Sequence, residues 1–165
     1  MKDADYWIKR LGLAEHPEGG YFVRTYRSQE EVEGQYLPKR FGGSRCFATA
    51  IYYLLKSGQP SVFHRLKSDE LWHFYAGSAL GLYVIDVDGR LDRVKLGPDY
   101  ENGEVFQAVV RAGSWFAATA DTPESYALVG CTVSPGFEFE DFELADRCVM
   151  LQQFPQYRAI IEQLT

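Results

Sequence analysis

The sequence predicts an all-β protein, an antiparallel sandwich or barrel, with a short helix at each end. Hydrophobic residues make up 46% of the chain and aromatic residues 15%, and aromatic side chains favour strands that pack on a shared core. Short runs of β-forming residues alternate with turn signals, a rhythm typical of sandwiches and barrels. The predicted strands are Tyr21–Tyr26, Phe47–Leu55, Val62–Leu66, Leu71–Tyr75, Leu80–Asp86, Leu91–Leu96, Phe106–Val110, Ser114–Ala118, Ser125–Ser134 and Glu138–Leu144.

Both ends of the chain carry helix signals. The first helix begins after a capping Asp3 or Asp5 and ends at Gly12, because glycine tolerates the left-handed conformation that terminates many helices. The last helix begins at Pro155, whose fixed φ suits a first helical turn. Each helix has apolar residues on one face, which predicts packing on the body of the protein: Trp7, Ile8 and Leu11 in the first, and Tyr157, Ile160, Ile161 and Leu164 in the last.

Three connecting segments are informative. The dipeptides Asp88-Gly89 and Asn102-Gly103 predict hairpin turns, because both residue types accept positive φ in type I′ geometry. Residues 28–44 are rich in glycine and charge and predict a mobile loop near a barrel mouth or a subunit contact. The segment 16–20, His-Pro-Glu-Gly-Gly, predicts a tight turn rather than a phosphate-binding loop, since no helix follows it.

Length and composition limit the classes of function. The 165 residues predict one domain spanning 1–165, and a net charge of −6 without basic clusters disfavours a nucleic-acid partner. The longest apolar run, Phe47–Leu55, is too short for a membrane span, and no apolar signal region follows the first lysine. Three cysteines without a C-x-x-C pair indicate a reducing compartment, so we expect a cytoplasmic protein in which Cys131 is a buried apolar residue.

Two of the three histidines, His64 and His73, flank Glu70 within a short segment. Imidazole and carboxylate are both transition-metal ligands and the commonest proton-transfer groups. Any chemistry of this protein is therefore expected here. The structural alternative is that His64 and Glu70 form a buried hydrogen-bonded pair that holds two strands together.

The spacing Gly58-x5-His64-x-Leu66-x3-Glu70-x6-Gly77 resembles the first motif of the cupin superfamily, Gly-x5-His-x-His-x3-Glu-x6-Gly. From about Asp5 to Leu144 the chain looks like a family of small single-domain cupins of unknown function. This resemblance implies a double-stranded β-helix jelly roll with a ligand pocket in its lumen. It also implies a homodimer, since small cupins generally associate through an edge strand and an open sheet edge needs covering.

The resemblance also bears on metal binding. Leu66 stands where a cupin has its second metal histidine, and Phe116 stands where the second motif has another. We therefore expect no cofactor, while a divalent metal held by His64, Glu70 and His73 stays open. Strict alternation from Glu70 points His73 to the opposite face of its strand unless a bulge intervenes.

The same resemblance suggests a function. The chain is similar to the dTDP-sugar epimerase branch of the cupins, which implies that His64 is a general base oriented by Glu70, with Lys67 or Tyr75 stabilising an enolate. The ligand would be a small polar molecule of sugar or nucleotide-sugar type. The other residues expected around it are His73, Lys67, Tyr75, Trp72, Tyr21 and Phe139. Two alternatives remain, a non-catalytic binding or storage cupin and a metal-dependent isomerase or dioxygenase.

Overall fold

A computed structural model describes residues 2–165 of the chain. Antiparallel strands dominate its regular structure, which confirms the predicted all-β class. The strands are β1 (Ala14–Glu15), β2 (Tyr21–Arg27), β3 (Glu31–Val32), β4 (Arg45–Cys46), β5 (Thr49–Lys56), β6 (Ser61–Leu66), β7 (Asp69–Gly77), β8 (Leu80–Ile85), β9 (Leu91–Leu96), β10 (Gln107–Val110), β11 (Trp115–Ala120), β12 (Tyr126–Ser134) and β13 (Phe142–Leu144).

Two antiparallel sheets pack against each other. The larger has the strand order β1-β2-β5-β12-β7-β10, and the smaller has the order β13-β6-β11-β8-β9, while β3 and β4 form a separate ribbon. Side chains from both sheets meet in one core, with Tyr53 and Trp72 on one side and Leu82 and Phe116 on the other. These are the packed sheets of the jelly roll that the resemblance implied.

The terminal helices cover the outer faces of the sheets. Helix α1 (Ala4–Leu11) is capped by the Asp3 carboxylate and ends at Gly12 with φ 66°, as predicted. Its apolar face packs with Leu54 and Leu128 of the larger sheet. Among residues 2–165, no helix combines the length and the apolar character needed to cross a membrane.

The C-terminal region holds one helix more than predicted. Helix α2 (Arg147–Gln153) begins after Asp146, whose side chain accepts a hydrogen bond from the Val149 amide. Pro155–Tyr157 form a 3₁₀ turn, and helix α3 (Arg158–Gln163) follows it. Both helices pack against the outer face of the smaller sheet, so the predicted apolar stripe is buried as expected.

Several local predictions need correction. Glu138–Leu144 is not one strand, because residues 139–141 form a 3₁₀ turn and only β13 pairs with β6. The turn at Asp88-Gly89 does join the paired strands β8 and β9, but only its glycine has positive φ, so it is not a type I′ turn. Asn102-Gly103 makes no hairpin, since it connects β9 and β10, which belong to different sheets.

The segment 28–44 is more regular than predicted. It contains β3, which pairs with β4, and a 3₁₀ turn at Gly34–Tyr36. This ribbon ends next to β5, the strand that carries three of the residues around the lumen cavity described below.

Candidate functional site

The space between the two sheets is not completely filled. A cavity of about 250 Å³ opens at one end of the barrel, and its walls are mainly apolar. Of the residues predicted for the site, His64, Glu70 and Phe139 line this cavity. The full lining consists of His16, Glu18, Phe22, Arg24, Thr49, Ile51, Tyr53, His64, Leu66, Glu70, Cys131, Val133, Phe137, Glu138 and Phe139.

His64 is paired with Glu18. Its Nε2 lies 3.1 Å from Glu18 Oε2, and its Nδ1 lies 2.7 Å from the Val62 carbonyl oxygen. A carbonyl accepts only, so Nδ1 carries a proton, and the short contact at Nε2 requires one further proton between imidazole and carboxyl. The two side chains therefore share that proton, and both are at least nine-tenths buried.

The segment 16–20 holds Glu18 in place. It forms the predicted tight turn, in which the Gly19 amide donates to the His16 carbonyl and the His16 amide donates to the Gly20 carbonyl. Gly20 has φ 71°, and a Cβ there would lie 2.8 Å from the Leu54 carbonyl oxygen, so glycine is needed at this position. This conformation directs the Glu18 side chain into the barrel, where the Ser61 hydroxyl donates a hydrogen bond to Glu18 Oε1 at 3.1 Å.

His16 lies beside this pair and is neutral. The backbone amide of Glu18 donates to its Nδ1 at 3.3 Å, so the ring proton is on Nε2. Burial lowers the pKa of His16, while the nearby Glu18 charge raises it and His64 lowers it further. The ring stacks on Phe139 and meets the edge of Phe22, which fixes it in the cavity wall.

Glu70 lines the cavity but does not pair with His64, so the predicted pair is wrong. Its Oε2 accepts a hydrogen bond from Trp72 Nε1 at 2.9 Å. Burial, and secondarily the charge of Glu18, raises the pKa of Glu70 to about 8, while the Trp72 bond acts in the opposite direction. At neutral pH the side chain is therefore mostly a neutral acid that can donate a hydrogen bond.

Most of the other predicted ligand-binding residues lie elsewhere. His73 is on the opposite face of β7, as strict alternation indicated, and its ring contacts Gln107 at 3.0 Å and Thr132 at 3.4 Å. Tyr75, two residues further along β7, is half exposed on the same outer face, where its ring meets that of Tyr52. These two side chains point away from the cavity.

Three further predicted residues are also outside the cavity lining. Tyr21 packs in the cluster under helix α1, and Lys67 binds Asp141 at 3.2 Å on the outer side of the barrel. Trp72 is buried and reaches the site only through its bond to Glu70. Lys67 and Tyr75 are therefore not placed to stabilise an enolate formed inside the lumen.

The residues at the metal-ligand positions of the cupin motif do not form a metal site in this protein. Leu66 lines the cavity where a histidine was expected, and Phe116 packs on the His64 ring with 4.0 Å between ring centres. His73 points outward, so the set His64, Glu70 and His73 does not converge. Across residues 2–165 no three side chains of His, Cys, Asp or Glu are arranged to hold one ion.

One wall of the cavity is a strap formed by residues 137–141. Phe137 and Phe139 face the cavity. Arg45, which is 2% exposed, anchors the strap through a bond from its Nε to Asp141 at 2.5 Å and a second contact to Glu140. This buried anchor sits behind the aromatic wall and fixes its position.

Sequence reasoning missed the partner of His64. The segment 16–20, which contains His16 and Glu18, is predicted from the sequence only as a tight turn. The sequence did contain a signal for these two residues, because His16 and Glu18 are two residues apart in a turn with two glycines that leads into the first long strand. Their distance in sequence from the motif at 58–77 hid the connection.

Comparisons with known proteins agree with this fold. A family model described as Cupin superfamily (DUF985) matches residues 5–145. The uncharacterized protein YML079W of Saccharomyces cerevisiae is 34% identical over 138 residues, covering 78% of this chain and 68% of that protein.

Two solved structures are similar along their whole length. A hypothetical protein from Leishmania major is 38% identical with a TM-score of 0.88, and 99% of each chain is covered. Protein SO0799 from Shewanella oneidensis is 39% identical with a TM-score of 0.89, covering 100% of this chain and 98% of that one. The chain therefore belongs to the cupin superfamily, in the family with the domain of unknown function DUF985.

Proposed function

We propose that this cupin binds a small carbonyl compound in its lumen and moves a proton at the carbon beside the carbonyl, as an epimerase or isomerase does. The single observation that carries the proposal is the chemistry of the lining. A carboxyl–imidazole pair that shares a proton, Glu18 with His64, and a neutral acid, Glu70, face the same cavity.

Glu18 is the group that would accept the proton. Both ring nitrogens of His64 already have protein partners, so its imidazole orients and charge-balances the carboxylate rather than contacting the substrate. In the ionised form of the pair, Glu18 is a carboxylate that lines the cavity, and each of its oxygens can accept more than one hydrogen bond. The C–H bond of the substrate breaks, its proton passes to Glu18, and its electron pair enters an enolate.

Glu70 would stabilise that enolate. A neutral carboxylic acid in an apolar site can donate its proton in a hydrogen bond to the developing oxyanion. The neutral His16 has its Nε2–H in the same wall and supplies a second donor. Return of the proton to the same face reverses the step and allows exchange with solvent. Protonation of the original carbon from the face away from Glu18 completes an epimerisation. Where that carbon carries a hydroxyl group, the intermediate is an enediol, and return of the proton from Glu18 to the former carbonyl carbon completes an isomerisation.

The dimensions favour a ligand no larger than a monosaccharide. Ligand pockets generally exceed about 300 Å³, and this cavity has about 250 Å³. The lining also contains a single arginine and no lysine, so the two phosphates of a nucleotide sugar would meet only one cationic side chain. We therefore favour a small carbonyl compound over the nucleotide-sugar ligand that the epimerase branch implies.

Solvent deuterium exchange tests the proposal. The purified protein is incubated in D₂O with a panel of small ketoses and oxo acids, and loss of the proton beside the carbonyl is followed by NMR. Glu18→Gln should lower the exchange rate by about 10²- to 10⁴-fold and Glu70→Gln by about 10²- to 10³-fold. Glu143→Gln, on the exposed side of β13, is the matched control and should exchange like wild type.

Two results would count against the proposal. Equal exchange in the wild type and both cavity variants would show that Glu18 and Glu70 take no part in proton transfer. Saturable binding of a panel member without any exchange would instead support the alternative of a non-catalytic binding cupin.

A further inference from the structure

Arg24 lies on the inward face of strand β2. Along β2, side chains alternate between the two faces of the sheet, so Arg24 shares the face of Phe22. Both line the cavity, as do their neighbours on β5, Tyr53 opposite Phe22 and Ile51 opposite Arg24. Arg24 is exposed to solvent although it lines the cavity, so its side chain lies at the mouth.

The guanidinium group of Arg24 has no polar partner in the described part of the chain. Within residues 2–165 no carboxylate, carbonyl or hydroxyl forms an ion pair or a hydrogen bond with it. The carboxylate that shares the cavity mouth, Glu138, lies 3.4 Å from Arg27, and Arg27 also binds Glu31 at 3.0 Å. The cavity mouth therefore presents a free planar donor that matches a carboxylate in shape and charge.

The interior of the cavity carries no net charge that would compete for this group. Glu18 and His64 share one proton, so together they are neutral, and His16 is held neutral by burial. Glu70 is mostly in its acid form at neutral pH. Arg24 is thus the cationic side chain of the lining, and Glu138, the other charged group at the mouth, is bound by Arg27, so a ligand carboxylate can bind Arg24 without displacing a protein partner.

The position of Arg24 relative to Glu70 sets the size of such a ligand. The strands that carry them, β2 and β7, are separated by β5 and β12, which puts their backbones about 14 Å apart at the usual strand spacing. Both side chains project from the same face of this sheet into the cavity, which the aromatic rings of Phe22, Phe137 and Phe139 also line. A few heavy atoms with an apolar or aromatic part fill the remaining space.

We propose that the ligand is a small oxo carboxylic acid with an apolar group, whose carboxylate binds Arg24 and whose carbonyl oxygen faces Glu70. This proposal rests on the proposed function, because it names the class of carbonyl compound that the same cavity takes. Recognition is by a bidentate guanidinium–carboxylate contact at the mouth and by aromatic contacts in the walls.

Phenylpyruvate and its methyl ester test the assignment, since they differ only in the charge that Arg24 would bind. Dissociation constants of both are measured by ligand-observed NMR for wild type, Arg24→Gln and Arg24→Lys. Arg24→Gln should weaken phenylpyruvate about tenfold to hundredfold and leave the ester within about twofold, because a charge-assisted bidentate contact is lost. Arg24→Lys, which keeps the charge but not the planar fork, should give an intermediate loss. Arg90→Gln in the exposed β8–β9 turn is the control and should bind both like wild type.

The outcomes separate this inference from the proposed function. If wild type binds no phenylpyruvate, or if Arg24→Gln weakens acid and ester equally, the carboxylate assignment is overturned. Exchange of neutral ketoses that does not depend on Arg24 would overturn it too, while leaving the proton-transfer proposal intact. Arg24-dependent binding of phenylpyruvate without deuterium exchange would support the carboxylate site and contradict proton transfer.

Discussion

Replacement of Glu70 by glutamine should make the protein more stable at alkaline pH. Glutamine keeps the shape of the side chain and still accepts the Trp72 hydrogen bond, but it cannot ionise. The carboxyl pKa is 4.5 in the unfolded reference and about 8 in the folded protein. Ionising this group in the folded state therefore costs about 1.4 kcal/mol per pH unit between these values, or about 5 kcal/mol in total.

The sign follows from which state binds the proton more tightly. Because the folded pKa is raised, the stabilising contribution of the protonated Glu70 is complete below pH 4.5, declines as the pH rises, and is lost once the pH passes about 8. The glutamine variant has no such dependence at this site. Its advantage over wild type should therefore increase through this window.

Urea unfolding, followed by tryptophan fluorescence, measures the effect. The free energy of unfolding of Glu70→Gln minus that of wild type should rise by about 3 kcal/mol between roughly pH 5.5 and pH 8.5. Glu143→Gln removes an exposed carboxylate and should give a nearly constant difference over the same range. A constant difference for Glu70→Gln as well would refute the reasoning, because it would show that Glu70 ionises as easily in the folded protein as in the unfolded chain.

Three further predictions concern stability and metal binding. Arg45→Met removes the buried partner of Asp141 and leaves it only the partly exposed Lys67, which should cost about 3 kcal/mol by urea unfolding. Arg65→Met breaks an exposed pair and should cost at most about 1 kcal/mol; equal costs would show that the strap needs no buried anchor. Gly20→Ala places a Cβ against a backbone carbonyl, whereas the Cβ of Gly12→Ala meets no atom within 4 Å. The melting temperature of Gly20→Ala should therefore be well below that of Gly12→Ala. Similar melting temperatures for the two variants would contradict the role of the turn. Chelator-treated protein should take up less than about half an equivalent of Zn²⁺ or Mn²⁺ by elemental analysis, and stoichiometric uptake that His64→Ala abolishes would contradict this.

The sequence by itself determined the fold class. Strand propensity and turn chemistry act over a few residues, so the order of strands and the two terminal helices follow from local pattern. The spacing from Gly58 to Gly77 also identified the two strands that place His64 and Glu70 in the lumen. Alternation along β7 correctly put His73 on the other face.

Local pattern failed where an extended segment is shaped by distant contacts. Residues 137–140 alternate aromatic and acidic side chains like a strand, yet residues 139–141 form a 3₁₀ turn, in which Asp141 is held by the buried Arg45 and by Lys67. Asn102-Gly103 has the residues of a hairpin turn, but its flanking strands pair in different sheets. No short-range rule reports which sheet a strand will join.

Only the tertiary structure decided the chemistry of the site. The partner of His64 could have been any buried carboxylate, and the sequence favoured Glu70, its neighbour in the motif. The fold instead brings Glu18 to His64 from far along the chain, and among residues 2–165 it places no cationic partner beside Glu70 in its apolar wall. Whether a carboxyl is a base or a neutral acid depends on burial and on the charges around it, and those are properties of the packed barrel rather than of sequence spacing.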